Sequence, residues 1–374
     1  MGGGTITFPE AIRFGRSAAF SIMIKPVGPR CNLRCRYCYY LGKSTGCVPQ
    51  VMDMSLLEHC IRDYCLSCTL PELTVEWHGG EPLLAGLDFF RTAVALERKY
   101  AGGRTVHNTL QTNGTLLTQE WALWLRDNDF LVGLSIDGPQ DIHDRWRKRP
   151  DGTSSFVDMM RGMEALLCAG VQFNTLTTVN AASEGRGEEV YRFLKSAGSR
   201  YMQFMPVYEH LPDGSVAPYS VSPEAYGRFM CDLYDCWSGN GDAGEYYVLT
   251  FDAALACRYG IRPGICVFCE SCGGNLTVEA DGSIYPCDHY VAPERCLGNI
   301  RTMSLGKAAV SAAQLRFGTA KREALAEKCL RCRWRFACNG GCPRHRDASG
   351  LNALCAGYSM FYRHIVPLLY GTVE

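Results

Sequence analysis

The sequence predicts an α/β fold on a parallel sheet, followed by a cysteine-rich segment that takes its order from bound metal. Short β-branched or aromatic-rich runs alternate six times with helically spaced stretches between residues 21 and 237. After about residue 240 that rhythm gives way to cysteine, glycine and arginine with little periodicity. The chemistry supplies a third observation: 21 cysteines among 374 residues, an odd number that cannot pair completely. A chain of this length buries a core without disulfide staples, and no secretory signal follows Met1. The cysteines are therefore expected to serve metal or catalysis in a reducing, cytoplasmic setting. With 38 basic and 38 acidic residues, and no apolar run long enough to span a bilayer, neither a nucleic-acid nor a membrane partner is expected.

The elements follow in order. Residues 1–17 lack periodicity and read as an N-terminal extension. Strands are expected at Ser21–Val27, Leu73–Trp77, Val106–Leu110, Leu131–Ile136, Val171–Val179 and Met202–Val207. Helices are expected near 55–67, 87–99, 118–128, 154–169, 185–197 and 223–237. Ser55 with Glu58 reads as a capping box, and Ser222–Pro223 as an N-cap followed by proline at the first helical position. Such alternation implies right-handed crossovers, either doubly wound or barrel-like, with the ligand site at the carboxyl ends of the strands. The chain divides into 1–17, a parallel-sheet domain over 18–240 and a metal-ordered domain over 241–374.

Cys31, Cys35 and Cys38 follow the first strand in a C-x3-C-x2-C pattern, three thiolates with no fourth beside them. Three ligands leave one metal position open, a mark of catalytic metal; the alternative is a zinc knuckle that borrows a distant ligand. Farther on, Cys272, Gly282 and Cys287 precede Cys329, Cys332, Cys338, Cys342 and Cys355. Paired C-x2-C elements of this kind also suit zinc ribbons. Cys60, Cys65 and Cys68 share a helical face with Leu56, Leu57, Ile61 and Tyr64, and read as small buried apolar residues. Cys168, Cys231 and Cys236 take the same reading, while Cys47, Cys257 and Cys296 carry no message.

The first pattern resembles the signature of radical S-adenosylmethionine (SAM) enzymes. The resemblance implies a partial (β/α)6 TIM-like barrel and a [4Fe–4S] cluster on Cys31, Cys35 and Cys38 that chelates SAM. Gly79, Gly80 and Glu81 resemble the family's GGE motif, which contacts the SAM amino group. Ser135 and Arg147 would touch the ribose or carboxylate, and Tyr37 the adenine, with Gln111 and Met205 as further contacts. The second pattern resembles the SPASM extension. It implies one auxiliary [4Fe–4S] cluster on Cys266, Cys272, Cys287 and Cys342, and another on Cys329, Cys332, Cys338 and Cys355, with Cys269 an unassigned extra thiol.

The segments Cys31–Tyr40, Leu110–Thr115, Phe130–Pro139, Tyr201–Phe204 and Tyr285–Asp288 sharpen the resemblance toward the anaerobic sulfatase-maturating enzymes. These oxidise a cysteine or serine in an unfolded sulfatase to Cα-formylglycine. The implied mechanism cleaves SAM to a 5′-deoxyadenosyl radical that takes hydrogen from Cβ. A base takes the thiol or hydroxyl proton, and the auxiliary clusters carry the second electron away. Asp288 is the implied base, with His289 a rival; Tyr39 and Tyr40 line the peptide pocket, and His143 and His345 are surface or structural. Flavodoxin or ferredoxin would donate the electron. Two alternatives stand beside this one: a SPASM enzyme that crosslinks a ribosomally made peptide, and a zinc-stabilised binding module.

Overall fold

The computed structural model describes residues 19–41, 43 and 51–369. The expected extension at 1–17 and Cys47 lie outside the described residues. Six strands appear where the apolar runs lie: β1 (Ser21–Ile24), β2 (Leu73–Trp77), β3 (Val106–Thr112), β4 (Leu131–Ser135), β5 (Phe173–Val179) and β6 (Tyr201–Pro206). The intervening helices are α1 (Met54–Ser67), α2 (Leu87–Tyr100), α3 (Gln119–Asp127), α4 (Gln140–Trp146), α5 (Phe156–Ala169) and α6 (Gly187–Ser196), with α7 (Pro223–Gly239) after β6. The seven-residue α4 has too few turns to show a period and was not anticipated. Each of β1 to β6 pairs in parallel with the next in sequence order. An order without reversal, with right-handed crossovers, places the helices on one face, so the fold is the partial barrel rather than a doubly wound sheet.

Helix starts obey local chemistry, with one correction. Ser222 caps α7, accepting from the Ala225 N–H, and Pro223 occupies the first turn. The cap of α1, however, is Asp53, which accepts from the Ser55 and Leu56 N–H groups. Ser55 already lies inside the helix, and Glu58 instead accepts from Lys99 and Tyr100. A carboxylate two residues upstream outcompeted the hydroxyl for the same free donors.

Strand periodicity sorts side chains between two layers. On β2, Leu73, Val75 and Trp77 are buried while Thr74 and Glu76 are half-buried. Trp77 meets Phe89 and Phe90 of α2 edge-on, at ring separations of 6.0 and 5.3 Å. On β6, Phe204 packs against Phe229 of α7, and the next residue, Met205, turns to the concave side. The apolar half of each alternation is thus spent on the helix layer, and the polar half is delivered to the interior of the barrel.

The sheet does not stop at residue 240. β7 (Tyr247–Val248) extends it beside β6 and leads into α8 (Leu249–Arg258). On the other edge β8 (Asn275–Val278) pairs in parallel with β1, and β9 (Ser283–Tyr285) and β10 (Gly298–Asn299) continue antiparallel, for ten strands among the described residues. Helices α9 (Leu305–Ala309), α10 (Ala312–Glu323), α11 (Glu327–Leu330) and α12 (Arg335–Cys338) are short. The last, α13 (Cys355–Leu369), lies along α7, where Gly227 and Gly357 meet; a Cβ on Gly357 would come within 2.2 Å of the Pro223 carbonyl oxygen.

Among the other cysteines, Cys60, Cys65, Cys68 and Cys236 are buried as expected, Cys231 is half-buried, and Cys168 is exposed, contrary to the packing role expected of it. Its place near the end of α5 sets it on the solvent side of that helix. His143 is structural: buried, beside the Ser155 hydroxyl at 3.1 Å.

Candidate active site

A cavity of about 220 Å³ opens at the carboxyl edge of the barrel strands. Its walls take Cys31, Cys35, Tyr37, Cys38, Tyr39 and Tyr40 from the loop after β1, and His78, Gly79 and Gly80 from the turn after β2. Gln111, Thr112 and Asn113 come from the end of β3, Ser135 from β4, Arg147 from beyond α4, Thr178 from β5 and Met205 from β6. His289, Arg344 and His345 enter from the cysteine-rich segment. Of the residues expected to contact SAM, all but Glu81 lie on this wall.

Two hydrogen-bonded frames shape the barrel side. Asp137, fully buried, accepts from the Tyr37 hydroxyl, from Arg147 Nε at 3.1 Å and from the Thr178 N–H at 3.1 Å. The Arg147 guanidinium lies over the Tyr37 ring, 5.4 Å from its centre. Burial opposes its charge, but the Asp137 carboxylate holds the guanidinium fully protonated. In the second frame, Gln111 Nε2 donates to Ser135 Oγ at 2.9 Å. Gly133 makes this possible, since a Cβ there would stand 2.2 Å from Gln111 Oε1.

Glu81 faces away from the cavity. Its carboxylate accepts from Thr112 Oγ1 at 2.7 Å, the Asn113 N–H at 2.8 Å and the Leu83 N–H at 3.1 Å. Burial pushes it up to about 7 against the pull of these donors. Glu81 thus ties the turn after β2 to the end of β3, where Asn113 Nδ2 donates to Cys31 Sγ at 3.7 Å.

The thiols fit the iron–sulfur clusters they were assigned to. Cys31, Cys35 and Cys38 line the cavity with no fourth cysteine among the described residues, the donor count of a cluster with one open iron. Burial pushes the Cys31 thiol up to about 11 and Cys35 up to about 12. Cys329, Cys332, Cys338 and Cys355 line a separate cavity of about 750 Å³. Cys266, Cys272, Cys287 and Cys342 lie close enough to act on one another electrostatically. Cys269 lies near Cys272 as well, but its thiol donates to the Pro263 and Ile265 carbonyls, both at 3.6 Å.

Asp288, next to Cys287, sits immediately behind the wall. Tyr39 donates to its Oδ2 at 2.5 Å, and His289 Nε2 lies 3.8 Å away. Burial works against the carboxylate, yet His289 and Lys25 hold it well below the usual range, so it is ionised. The His289 ring packs on Tyr39 at 4.5 Å. Arg344 closes this side: it donates to Glu209 at 2.6 Å and to the His289 carbonyl at 3.2 Å.

Sequence reasoning left Asp137, Asn113 and Arg344 without roles and read His345 as surface or structural. His345 instead lines the cavity, and burial lowers it to about 4. Its position three residues after Cys342 was the available signal, because a cluster ligand fixes the backbone that follows. Asp137 lies inside the segment Phe130–Pro139, but nothing in spacing shows that two side chains from other loops converge on it.

The description "Radical SAM superfamily" matches residues 26–194, and "Iron-sulfur cluster-binding domain" matches residues 269–333. A serine-type anaerobic sulfatase-maturating enzyme of Bacteroides thetaiotaomicron is 41% identical over 372 residues, covering 93% of this chain and 90% of that protein. A cysteine-type anaerobic sulfatase-maturating enzyme of Clostridium perfringens is 33% identical over 376 residues, covering 95% and 98%. The structure of anSMEcpe with bound AdoMet matches with a TM-score of 0.87 at 33% identity over 94% of each chain. With that likeness running the length of barrel and cysteine-rich segment alike, the chain belongs to the anaerobic sulfatase-maturating enzymes of the radical SAM superfamily.

Proposed function

We propose that the protein oxidises a serine or cysteine of an unfolded sulfatase segment to Cα-formylglycine. One observation carries the reading: a single cavity is lined on one side by three thiols and the Tyr37–Asp137–Arg147 frame, and on the other by Tyr39 and His289, which hold an ionised Asp288. When bound, the open-iron cluster with SAM supplies hydrogen-atom abstraction at Cβ of the target residue, and the auxiliary clusters accept an electron.

The chain's own residues do the rest. Arg147, Gln111 and Ser135 present polar groups to the ribose and carboxylate of SAM, Tyr37 lies against the adenine, and Gly79 and Gly80 let the backbone approach its amino group. Glu81 acts as a positioning residue, since its carboxylate is committed to Thr112 and Asn113. Asp288 receives the proton of the target hydroxyl or thiol, and Tyr39 joins it to the cavity wall. Tyr39, Tyr40 and Arg344 frame the space for the peptide. A cytoplasmic setting and a reduced flavodoxin or ferredoxin as donor complete the reading, with neither nucleic acid nor membrane as partner; no helix among the described residues is long and apolar enough to cross a membrane. Family membership sets aside the zinc-stabilised binding module.

The test is an anaerobic assay with a sulfatase-motif peptide, SAM and reductant, read by mass spectrometry. A serine peptide should lose two hydrogens to give an aldehyde, and a cysteine peptide should also exchange sulfur for oxygen. Loss of two hydrogens with a new crosslink, and no aldehyde trapped by hydrazide, would overturn the proposal.

A further inference from the structure

His78 follows β2 directly and lines the cavity, yet nothing in the proposed reaction uses it. Its ring is fixed in one tautomer. Nδ1 accepts the N–H of Gly79 at 2.7 Å, so the ring proton of the neutral imidazole sits on Nε2. Burial keeps the ring neutral, lowering it to about 4 despite the pull of Asp288. Among the described residues the Nε2–H has no hydrogen-bond partner, and it belongs to a side chain near enough to Asp288 to interact with it electrostatically.

The cavity therefore offers an N–H donor at His78 and, behind Tyr39, an acceptor in the Asp288 carboxyl group. A serine hydroxyl satisfies both, because its oxygen accepts from one while its proton is drawn to the other. A thiol satisfies only the second well, since sulfur is a weak acceptor. We propose that His78 holds the target residue by donating from Nε2 to its Oγ, and so sets the site to prefer serine over cysteine. The higher identity to a serine-type relative, 41% against 33% for a cysteine-type one, runs in the same direction. This inference rests on the sulfatase-maturation reading. His78 touches the substrate without taking a proton from it, so its contribution is in binding and selectivity.

The experiment compares three peptides, with serine, cysteine or alanine at the target position, on the iron-loaded protein. Affinity is measured with SAM but no reductant, and kcat/KM with reductant. Two variants separate shape from donor: His78→Phe keeps a ring and removes the N–H, while His78→Gln keeps an N–H donor and removes the ring. Iron content and SAM cleavage report that each variant is folded. In the unaltered protein the serine peptide should bind about tenfold tighter than the alanine peptide, the scale of one neutral hydrogen bond. His78→Phe should erase that difference and lower the serine-to-cysteine ratio of kcat/KM about tenfold, and His78→Gln should keep most of both. Serine-to-alanine and serine-to-cysteine ratios unchanged in His78→Phe would overturn the proposal, as would equal losses in the two variants. If His78→Phe fails to load iron, His78→Leu, which also removes the N–H, takes its place with the same two outcomes. An unaltered protein that makes no formylglycine from any peptide would instead overturn the parent reading, and this one with it.

Discussion

Asp288 and Glu97 show at the residue scale how burial is turned to opposite ends. Asp288 is buried but faced by His289 and Lys25, and it stays ionised, as the proposed role of base requires. Replacing it with asparagine should leave SAM cleavage intact while formylglycine formation falls by at least about 100-fold, the usual contribution of a positioned base. Separate quantification of 5′-deoxyadenosine and aldehyde checks this, and retained aldehyde yield would remove Asp288 from the chemistry. Glu97 has no such company. It accepts from Asn108 Nδ2 at 2.7 Å, its Oε1 has no hydrogen-bond partner among the described residues, and burial pushes it up to about 7 from 4.5. The folded chain thus holds a proton that the unfolded chain releases between these values. Stability from this group is full below the lower value and is lost as pH rises through the upper one. Glu97→Gln should therefore raise stability by about 2 kcal/mol at pH 8, with the gain vanishing toward pH 4. Denaturant midpoints across that range test it; a gain independent of pH would contradict it.

At the scale of elements, close backbone approach fixes what the hydrophobic pattern leaves open. Helices α7 and α13 come together at Gly227 and Gly357, and the Pro223 carbonyl lies 2.2 Å from where a Cβ on Gly357 would stand. Gly357→Ala should cost about 1–3 kcal/mol, as overpacking against backbone does. Because Cys355 opens the same helix, the displacement should also lower iron content by one cluster. Thermal midpoints and iron analysis measure both, and a variant that melts with the unaltered protein would show that α13 shifts freely. The turn after β2 obeys the same logic, with a Cβ on Gly80 only 1.9 Å from the Arg30 carbonyl oxygen. Most elements were legible in advance because their apolar positions recur at the helix or strand period. The cap of α1 was not, because Asp53 and Ser55 compete for the same N–H groups and only geometry shows which wins.

For the whole molecule, the two halves differ in what holds them. The barrel rests on a continuous apolar layer between strands and helices, whereas residues 260–355 hold short elements around eight assigned thiols. Chelating the iron should therefore open the 260–355 region to protease and leave the barrel protected, since bound metal supplies the folding free energy of core-poor segments. Limited proteolysis with mass spectrometry locates the cuts, and unchanged protection after iron removal would show that side-chain packing alone suffices. The unaltered protein should carry about twelve irons, four for each cluster. The halves are also one sheet, since β8 pairs with β1 as closely as β2 does. That pairing brings Asp288, His289 and Arg344 over the mouth of the barrel.

The sequence by itself determined the strand–helix rhythm, the spacing of the thiol sets and the motifs at the strand ends, because these are local and periodic. Cys31, Cys35 and Cys38 lie within eight residues, and no folding is needed to see them together. Only the tertiary structure decided that Glu81 turns inward to Asn113 while Gly79 and Gly80 face the cavity, and that Tyr39 meets Asp288 across 249 residues. It also decided that His78 presents its Nε2–H rather than Nδ1–H, through a single bond to its neighbour's backbone. Convergence of distant loops and the choice of a tautomer depend on where hydrogen-bond partners end up in space, and sequence spacing carries no record of that.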